Sequence, residues 1–419
     1  MHKRPEWISS TNIYEVNVRQ YTREGTLAAF EKELPRLRQM GVETLWFMPL
    51  TPIAQKNKKG TLGSYYACAD YRGIDPEFGT EADLKKLIDE AHSMGFKVII
   101  DWVANHTGWD HIWTKNHPEF YKIDETTNDF KMASGMEDII ELDHANPRMK
   151  AAMIDAMKWW VDQFDIDGFR CDLSSWVPLD FWKRARPELD AIKPLFWLGE
   201  FDEMESPAYG ELFDASYSWK WMHKTEEFYK KQLPLKELIQ LLKHYDDLGP
   251  QCIRCWFTSN HDENSWNGTE YEKYGEMAPA LAVFSMTWDG IPLIYSGQEL
   301  PNLKRLQFFN KDEIDWRGKY ELEDLYRELL SLKKNNPALK AGDMHVHTML
   351  LKTNAADKIF GFIRTNGEDK LLVLLNLSPA PVLFTILDDR IQLAKTEYEL
   401  KPWAYVIEEF PDSRRKFAS

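Results

Sequence analysis

The stretch Asp167-Gly168-Phe169-Arg170-Cys171-Asp172 decides how this chain is interpreted. It predicts a short strand that begins at a glycine and ends on an arginine and an aspartate. Residues two apart in a strand point to the same side, so we expect Arg170 and Asp172 to project together, with Cys171 on the opposite face. A guanidinium beside a carboxylate lowers the pKa of that carboxylate. Asp172 is therefore a candidate nucleophile, and the alternative is a purely structural Arg170–Asp172 pair.

The sequence on both sides alternates between strand and helix patterns. Predicted strands cover residues 12–21, 43–50, 97–103, 168–172, 196–201, 213–217, 255–260 and 291–296. About eight strand–helix units favour a closed (β/α)8 TIM barrel over an open doubly wound sheet. We expect residues 1–106 and 143–341 to form this barrel. The aperiodic segment 107–142 predicts a short domain inserted after the third strand, and the alternating strands of residues 342–419 predict a C-terminal antiparallel β-sandwich.

The composition argues against several classes of partner. The chain has 419 residues, a formal net charge of −15 and a pI near 5.3, so its charge repels the phosphates of nucleic acids. No segment approaches the roughly 20 apolar residues of a membrane span, and the N-terminus lacks the apolar core of a signal peptide. We therefore expect a cytoplasmic protein without a membrane partner. Cys252 and Cys255 form a lone Cys-x-x-Cys, which predicts thiols and not a zinc site.

Polar residues occur where the predicted strands end, which is where TIM barrels carry their active sites. They are Asp101, Asn105 and His106 after the third strand, Arg170 and Asp172 at the fourth, Glu200 at the fifth, and His261 and Asp262 at the seventh. Two carboxylates that flank one bond are the arrangement for glycoside cleavage. Arg170 marks Asp172 as the ionised one, and the apolar residues before Glu200 favour a protonated acid there. Asp262 is then free to grip sugar hydroxyls in the transition state.

The order of these motifs resembles the α-amylase family, glycoside hydrolase family 13, over essentially the whole chain. The residues that carry the resemblance are Asp101-Trp102-Val103-Ala104-Asn105-His106, Gly168-Phe169-Arg170-Cys171-Asp172, Trp197-Leu198-Gly199-Glu200, Ser259-Asn260-His261-Asp262 and Ser64-Tyr65-Tyr66. The resemblance implies a retaining reaction on an α-linked glucan or oligosaccharide, with Asp172 as nucleophile, Glu200 as acid/base and Asp262 as transition-state stabiliser. By the same resemblance, segment 107–142 is domain B and the C-terminal strands are domain C.

The resemblance also implies a set of sugar contacts. Tyr66 is expected to stack on the sugar at the cleavage point, and His106 and His261 are expected to bond hydroxyls of the same sugar. Arg170 and Asp101 are further substrate-binding candidates at the same strand ends.

One departure from the family concerns calcium. Many amylases carry Lys-His shortly after the nucleophile, where this chain has Ser174-Ser175-Trp176-Val177. Asn105 and Glu141 remain as metal-ligand candidates, but calcium needs six or more oxygens. We therefore expect that no cofactor is required, with a calcium site at these two residues as the alternative. Trp176 is expected to line a sugar subsite.

Hydrolysis of malto-oligosaccharides or similar α-glucans is the function that the sequence favours, and three other functions are alternatives to it. An α-glucan transglycosylase, or a glucosyl isomerase of the trehalose synthase type, would use the same three carboxylates and differ in how it excludes water. A non-catalytic sugar-binding relative is disfavoured because such proteins lose carboxylates that are all present here. A phosphosugar or nucleotide enzyme on a similar barrel is disfavoured because the sequence has no glycine-rich phosphate loop with its lysine and because the net charge is negative.

Overall fold

The computed structural model describes residues 3–249, 252–316, 320–410 and 416–418. In chain order its strands are β1 (Ile13–Val16), β2 (Thr44–Phe47), β3 (Lys97–Trp102), β4 (His106–Gly108), β5 (Ile139–Glu141), β6 (Gly168–Cys171), β7 (Phe196–Asp202), β8 (Ala215–Tyr217), β9 (Ile253–Trp256), β10 (Ile291–Tyr295), β11 (Val346–Leu350), β12 (Ile359–Asn366), β13 (Asp369–Asn376), β14 (Val382–Thr385), β15 (Glu397–Leu400), β16 (Tyr405–Phe410) and β17 (Lys416–Ala418). Eight of them close into a parallel barrel in the order β1-β10-β9-β8-β7-β6-β3-β2, which confirms the predicted TIM barrel.

Helices follow most of the barrel strands and cover the outside of the barrel. They are α1 (Val18–Tyr21), α2 (Leu27–Phe30), α3 (Leu34–Met40), α4 (Glu81–Ser93), α5 (Ile112–Asn116), α6 (Pro147–Phe164), α7 (Leu179–Asp190), α8 (Trp219–Lys231), α9 (Leu235–Asp247), α10 (Glu270–Tyr274), α11 (Ala278–Thr287) and α12 (Glu323–Asn335). No helix in the described part of the chain is both long and apolar enough to cross a membrane.

Local sequence signals set the ends of several elements. The side chain of Thr80 accepts from the backbone of Asp83 to cap α4, and Asn146 caps α6, whose first residue is Pro147. A glycine is required where β6 begins, because a Cβ atom on Gly168 would lie 2.1 Å from the carbonyl oxygen of Phe196 in β7. The backbone of β6 therefore packs directly against β7 at this position.

The predicted strand at residues 12–21 is only half correct. The strand β1 ends at Val16, and residues 18–21 form the short helix α1. All of these side chains are buried, including Arg19, which pairs with Glu77 at 2.8 Å. Because burial is continuous, the apolar pattern alone does not distinguish a strand from one helical turn.

The small two-stranded sheet β4–β5 lies at the ends of segment 107–142, which was assigned to domain B. After residue 342 the chain forms an antiparallel five-stranded sheet, β11-β12-β13-β16-β17, and the pair β14–β15. These two sheets share one apolar core, which includes Ile363, Leu372 and Phe384. The C-terminal assignment extends over residues 411–415 and 419, which lie outside the described residues, and the division into domains stays a prediction.

Candidate active site

The barrel brings the predicted strand-end residues to one rim. Asp101 in β3 is the direct register partner of Arg170 in β6, and Cys171 of β6 pairs with Gly199 of β7. Asp172 therefore follows β6 beside Glu200, because the carboxyl ends of parallel strands lie next to each other. Asp262 follows the end of β9 on the same rim.

The guanidinium of Arg170 is the centre of the site. Its Nη1 donates to Asp101 Oδ1 at 2.8 Å and to Asp172 Oδ1 at 3.0 Å. Its Nη2 lies 2.9 Å from Glu200 Oε2, an ionic contact without the alignment of a hydrogen bond. The Arg170 side chain is completely buried, so one cation holds three carboxylates in place.

A second link joins Asp172 to Glu200 through the backbone. The N–H of Leu173, the residue after Asp172, donates to Glu200 Oε2 at 2.8 Å. Leu173 has a φ of 41°, in the left-handed region that side chains other than glycine rarely adopt. Such a conformation costs on the order of 1–3 kcal/mol and is concentrated at functional sites.

A second chain of polar contacts surrounds Asp262. Tyr66 Oη donates to Asp101 Oδ2 at 3.0 Å and lies 2.8 Å from His261 Nε2. The Nδ1 of His261 lies 2.5 Å from Glu15 Oε1, and its Nε2 lies 3.4 Å from Asp262 Oδ2. The Asp262 side chain is 41% exposed, whereas that of His261 is 1% exposed. His261 is therefore a support for Asp262, which faces the cavity.

The charge state of Asp172 differs from the expectation that Arg170 lowers its pKa. Burial and then the charge of Glu200 raise the pKa of Asp172 well above its ordinary value, against the opposing effect of Arg170. The physical reason is that Arg170 is shared with Asp101 and Glu200, so its charge does not compensate Asp172 alone.

The two histidines of the site are shifted in opposite directions. Burial lowers the pKa of His106 to about 4, so its imidazole is neutral near pH 7. For His261 burial opposes protonation, but Asp262 and Glu15 outweigh it and raise the pKa well above the ordinary value. In the same way, the pKa of Asp262 is lowered by His261 although burial would raise it. The His261–Asp262 pair is thus ionic.

A cavity of about 390 Å³ opens above these groups. All three carboxylates line it, and so does His106, whose buried Nε2 has no hydrogen-bond partner among the described residues. The other lining residues are Lys59, Ser64, Tyr66, Met136, Asp138, Ile139, Leu173, Trp266, Phe308 and Phe309. A second groove, of about 580 Å³, lies between α8 and α9 and is lined by other residues. The 390 Å³ cavity is the candidate active site because the three carboxylates line it, although the second groove is larger.

Four predicted sugar contacts are placed differently. Arg170 and His261 have buried side chains that support the carboxylates and do not line the cavity. The Asp101 carboxylate is completely buried and bonded by Arg170, Tyr66 and, at 3.3 Å, Trp46 Nε1, so it positions other groups instead of facing the cavity. Trp176 is 56% exposed and stands outside the residues that line the cavity.

Other parts of the site were missed at the sequence level. Trp266, which is 52% exposed, lines the cavity together with Phe308 and Phe309. These aromatic residues lie in aperiodic segments that carry no pattern to reveal them. For Glu15 a signal existed, since it is an acid inside the apolar run of β1.

The candidate calcium ligands do not fit a metal ion. Glu141 is paired with Lys122 at 2.7 Å and with Lys131 at 3.0 Å. Asn105 Nδ2 is directed to His106 Nδ1 at 3.2 Å. Within the described ranges, no group of three or more His, Cys, Asp or Glu side chains is arranged to hold a metal. Two lysines thus stand where a cation would have to bind Glu141.

Comparison with known proteins gives consistent matches along the chain. The model of the alpha amylase catalytic domain matches residues 9–120 and 116–342. Alpha-amylase 2 of Dictyoglomus thermophilum and the maltogenic alpha-amylase of Bacillus acidopullulyticus are each 25% identical, over 91% of this chain and 72% of their own length. A maltogenic alpha-amylase from Thermotoga neapolitana superposes with a TM-score of 0.84 at 28% identity, covering 98% of both chains. Since the catalytic-domain model spans most of the barrel, the chain belongs to the α-amylase family of glycoside hydrolases.

Proposed function

We propose that this chain is a retaining hydrolase that cleaves α-glucosidic bonds in malto-oligosaccharides or related α-glucans. The observation that carries the proposal is the sharing of one guanidinium: Asp172 lies 3.0 Å and Glu200 2.9 Å from Arg170. Retaining enzymes hold their two carboxyl groups about 5–5.5 Å apart, whereas inverting enzymes need about 6.5–9.5 Å to admit a water. Asp172 and Glu200 contact the two terminal nitrogens of the same guanidinium. This arrangement favours the shorter, retaining separation of their carboxyl groups.

The reaction proceeds in two steps. Asp172 attacks the anomeric carbon while Glu200 gives a proton to the leaving oxygen, which forms a glycosyl ester on Asp172. The ionised Glu200 then takes a proton from water, and the hydroxide equivalent releases the sugar with its original anomeric configuration. Asp262, kept ionised by His261, binds sugar hydroxyls and stabilises the positive charge of the transition state.

The hydrogen bonds of the site favour this division of roles. Arg170 Nη1 makes a charge-assisted hydrogen bond to Asp172, whereas the aligned hydrogen bond to Glu200 comes from the neutral N–H of Leu173. A hydrogen bond to the charged form of an acid favours that form. This difference supports Asp172 as the nucleophile and Glu200 as the proton donor.

The substrate class is supported by the cavity and by the relatives. His106 is neutral above about pH 4, and its Nε2, which has no partner in the described part of the chain, is suited to a sugar hydroxyl. The Tyr66 ring stacks against His261 at 5.3 Å and offers an aromatic wall, on which sugar rings pack well. The relatives named above are α-amylases, two of them maltogenic, which supports α-linked glucose chains as substrate.

The test is a product profile of the wild-type protein on maltotriose, soluble starch, isomaltose, sucrose and trehalose. We expect glucose and maltose from maltotriose, with the α-anomer formed first in a time-resolved NMR spectrum. The β-anomer as first product would contradict the retaining mechanism. Products longer than maltotriose would assign the protein to the transglycosylases, and no turnover of any α-glucan would refute the proposal.

A further inference from the structure

Three loops that are distant in the sequence meet at one side of the active-site cavity. The loop after β2 contributes Lys59, the segment between β4 and β5 contributes Asp138, and the loop after β10 contributes Phe309. Each of the three also lines the cavity that contains Asp172 and Glu200. A contact among these loops therefore determines how far the cavity extends on this side.

A single lysine side chain joins the three loops. Lys59 Nζ lies 2.7 Å from Asp138 Oδ1 and 5.7 Å from the centre of the Phe309 ring. The Asp138 side chain is only 5% exposed, whereas that of Lys59 is 35% exposed. A buried carboxylate is costly without a cation, so Asp138 holds the ammonium group of Lys59 in place.

Backbone contacts anchor both ends of this ion pair. Leu62 N donates to the carbonyl oxygen of Phe309 at 2.9 Å, which fastens the Lys59 loop to the loop after β10. On the other side, Trp109 Nε1 donates to the carbonyl oxygen of Glu137 at 2.7 Å, directly before Asp138. The loops are thus fixed, and the Lys59–Asp138 ion pair is the bridge between them.

Lys59 and Asp138 both form part of the wall of the cavity that holds the acids. The cavity of about 390 Å³ is near the lower end of the roughly 300–1,000 Å³ typical of ligand sites. A long glucan that is cut in its interior must leave the site on both sides, whereas a short oligosaccharide or a chain end needs only one opening. A bridge across one side therefore discriminates by substrate length.

We propose that the Lys59–Asp138 bridge is a specificity determinant that closes one end of the active-site cavity and favours short malto-oligosaccharides over internal bonds of long α-glucans. The inference rests on the proposed hydrolysis of α-glucans and names the length of substrate that the site accepts. It assigns no chemical step to either residue.

The test compares Lys59→Met with Lys59→Arg. Methionine keeps the unbranched apolar stem and removes the charge, whereas arginine keeps the cation. The measured quantity is the ratio of kcat/KM on soluble starch to kcat/KM on maltotriose. We expect Lys59→Met to raise this ratio about tenfold, equivalent to about 1.4 kcal/mol of discrimination, and Lys59→Arg to leave it within about twofold of wild type, well under that amount.

A matched control and a second variant complete the design. Lys58 is exposed in the same loop and donates to Gln55 at 2.8 Å, so Lys58→Met should leave the ratio unchanged. Asp138→Asn removes the other partner and should raise the ratio as Lys59→Met does, without a further gain in the double variant. Because Asp138→Asn tests the same pair, the experiment stands even if one variant fails to fold.

The outcomes separate this inference from the proposed function. An unchanged ratio in well-folded Lys59→Met and Asp138→Asn would overturn the bridge as a specificity determinant, and so would an equal rise in Lys58→Met. A wild-type protein that cleaves neither starch nor maltotriose would refute the proposed function instead.

Discussion

Two acidic clusters of this molecule have opposite charge balances. Around Arg170 three carboxylates share one guanidinium, and burial together with Glu200 raises the pKa of Asp172. At Glu141 two ammonium groups share one carboxylate; partial burial opposes ionisation there, yet the two lysines lower the pKa of Glu141. The first cluster carries an excess of buried negative charge, whereas in the second the two lysines more than neutralise Glu141.

The difference shows which acids are available for chemistry. Burying carboxylates without enough cations costs stability, and perturbed acids of this kind are concentrated at functional sites. The transition state of glycoside cleavage carries positive charge on the sugar, so a surplus of negative charge stabilises it. Glu141 has no such surplus to offer to a substrate or a metal.

The largest effect is expected from Asp172→Asn. An amide does not attack the anomeric carbon, so kcat on maltotriose should fall by at least about 10⁴-fold. The fold should survive because the introduced amide oxygen can still accept the hydrogen bond from Arg170 Nη1, and the melting temperature should be equal or higher. Steady-state kinetics and thermal melts check both statements.

The matched control for this prediction is Glu141→Gln, which removes one negative charge from the neutralised cluster. It should leave kcat/KM unchanged. Near-wild-type turnover of Asp172→Asn would contradict the role of Asp172 as the nucleophile. A loss of equal size in Glu141→Gln would show that the two clusters do not differ in function.

A smaller loss is expected from Glu200→Gln. Without the proton donor, turnover of maltotriose should fall by about 10²–10⁴-fold. The same variant should react much faster with α-glucosyl fluoride, whose leaving group needs no proton.

The substitution Glu200→Gln also removes the charge that helps to raise the pKa of Asp172. The acid limb of the pH–rate profile on the fluoride should therefore move to lower pH than in the wild type. An acid limb that stays in place would show that the charge of Glu200 does not raise the pKa of Asp172.

Glu270 is a third buried acid, and it differs from both clusters because its hydrogen bonds come from neutral groups and not from cations. Thr258 Oγ1 donates to its Oε1 at 2.5 Å and Gln298 Nε2 at 3.0 Å, and burial raises the pKa of Glu270 to about 7. A raised carboxyl pKa gives stability that is present below the unfolded pKa and is lost as pH rises toward 7. Relative to Glu270→Gln, the wild type should lose about 3 kcal/mol of unfolding free energy between pH 4.5 and 8. Denaturant titrations of both proteins at each pH measure this difference, and parallel curves would contradict it.

The sequence predicts much of this molecule because its periodicities are local. The alternation of strands and helices leads to the barrel, and the two-residue spacing of Arg170 and Asp172 places both on one side of β6. The prediction that the pKa of Asp172 is lowered was wrong, because this pKa depends on Asp101 and Glu200, which come from other strands. The Lys59–Asp138 bridge was out of reach for the same reason, since it joins two aperiodic segments.

The smallest effect is expected from removing calcium, and this prediction tests the second cluster directly. We propose that the protein needs no calcium, because Lys122 and Lys131 already neutralise Glu141. A metal present at 100 times its Kd would add about 2.7 kcal/mol of stability, which is several degrees of melting temperature even for a large domain. EDTA should therefore leave the melting temperature within about one degree, and Glu141→Gln should cost no more than the roughly 0.2–1 kcal/mol of exposed ion pairs. A drop of several degrees with EDTA that added calcium reverses, and that Glu141→Gln abolishes, would place a cation at Glu141 and make the two clusters alike.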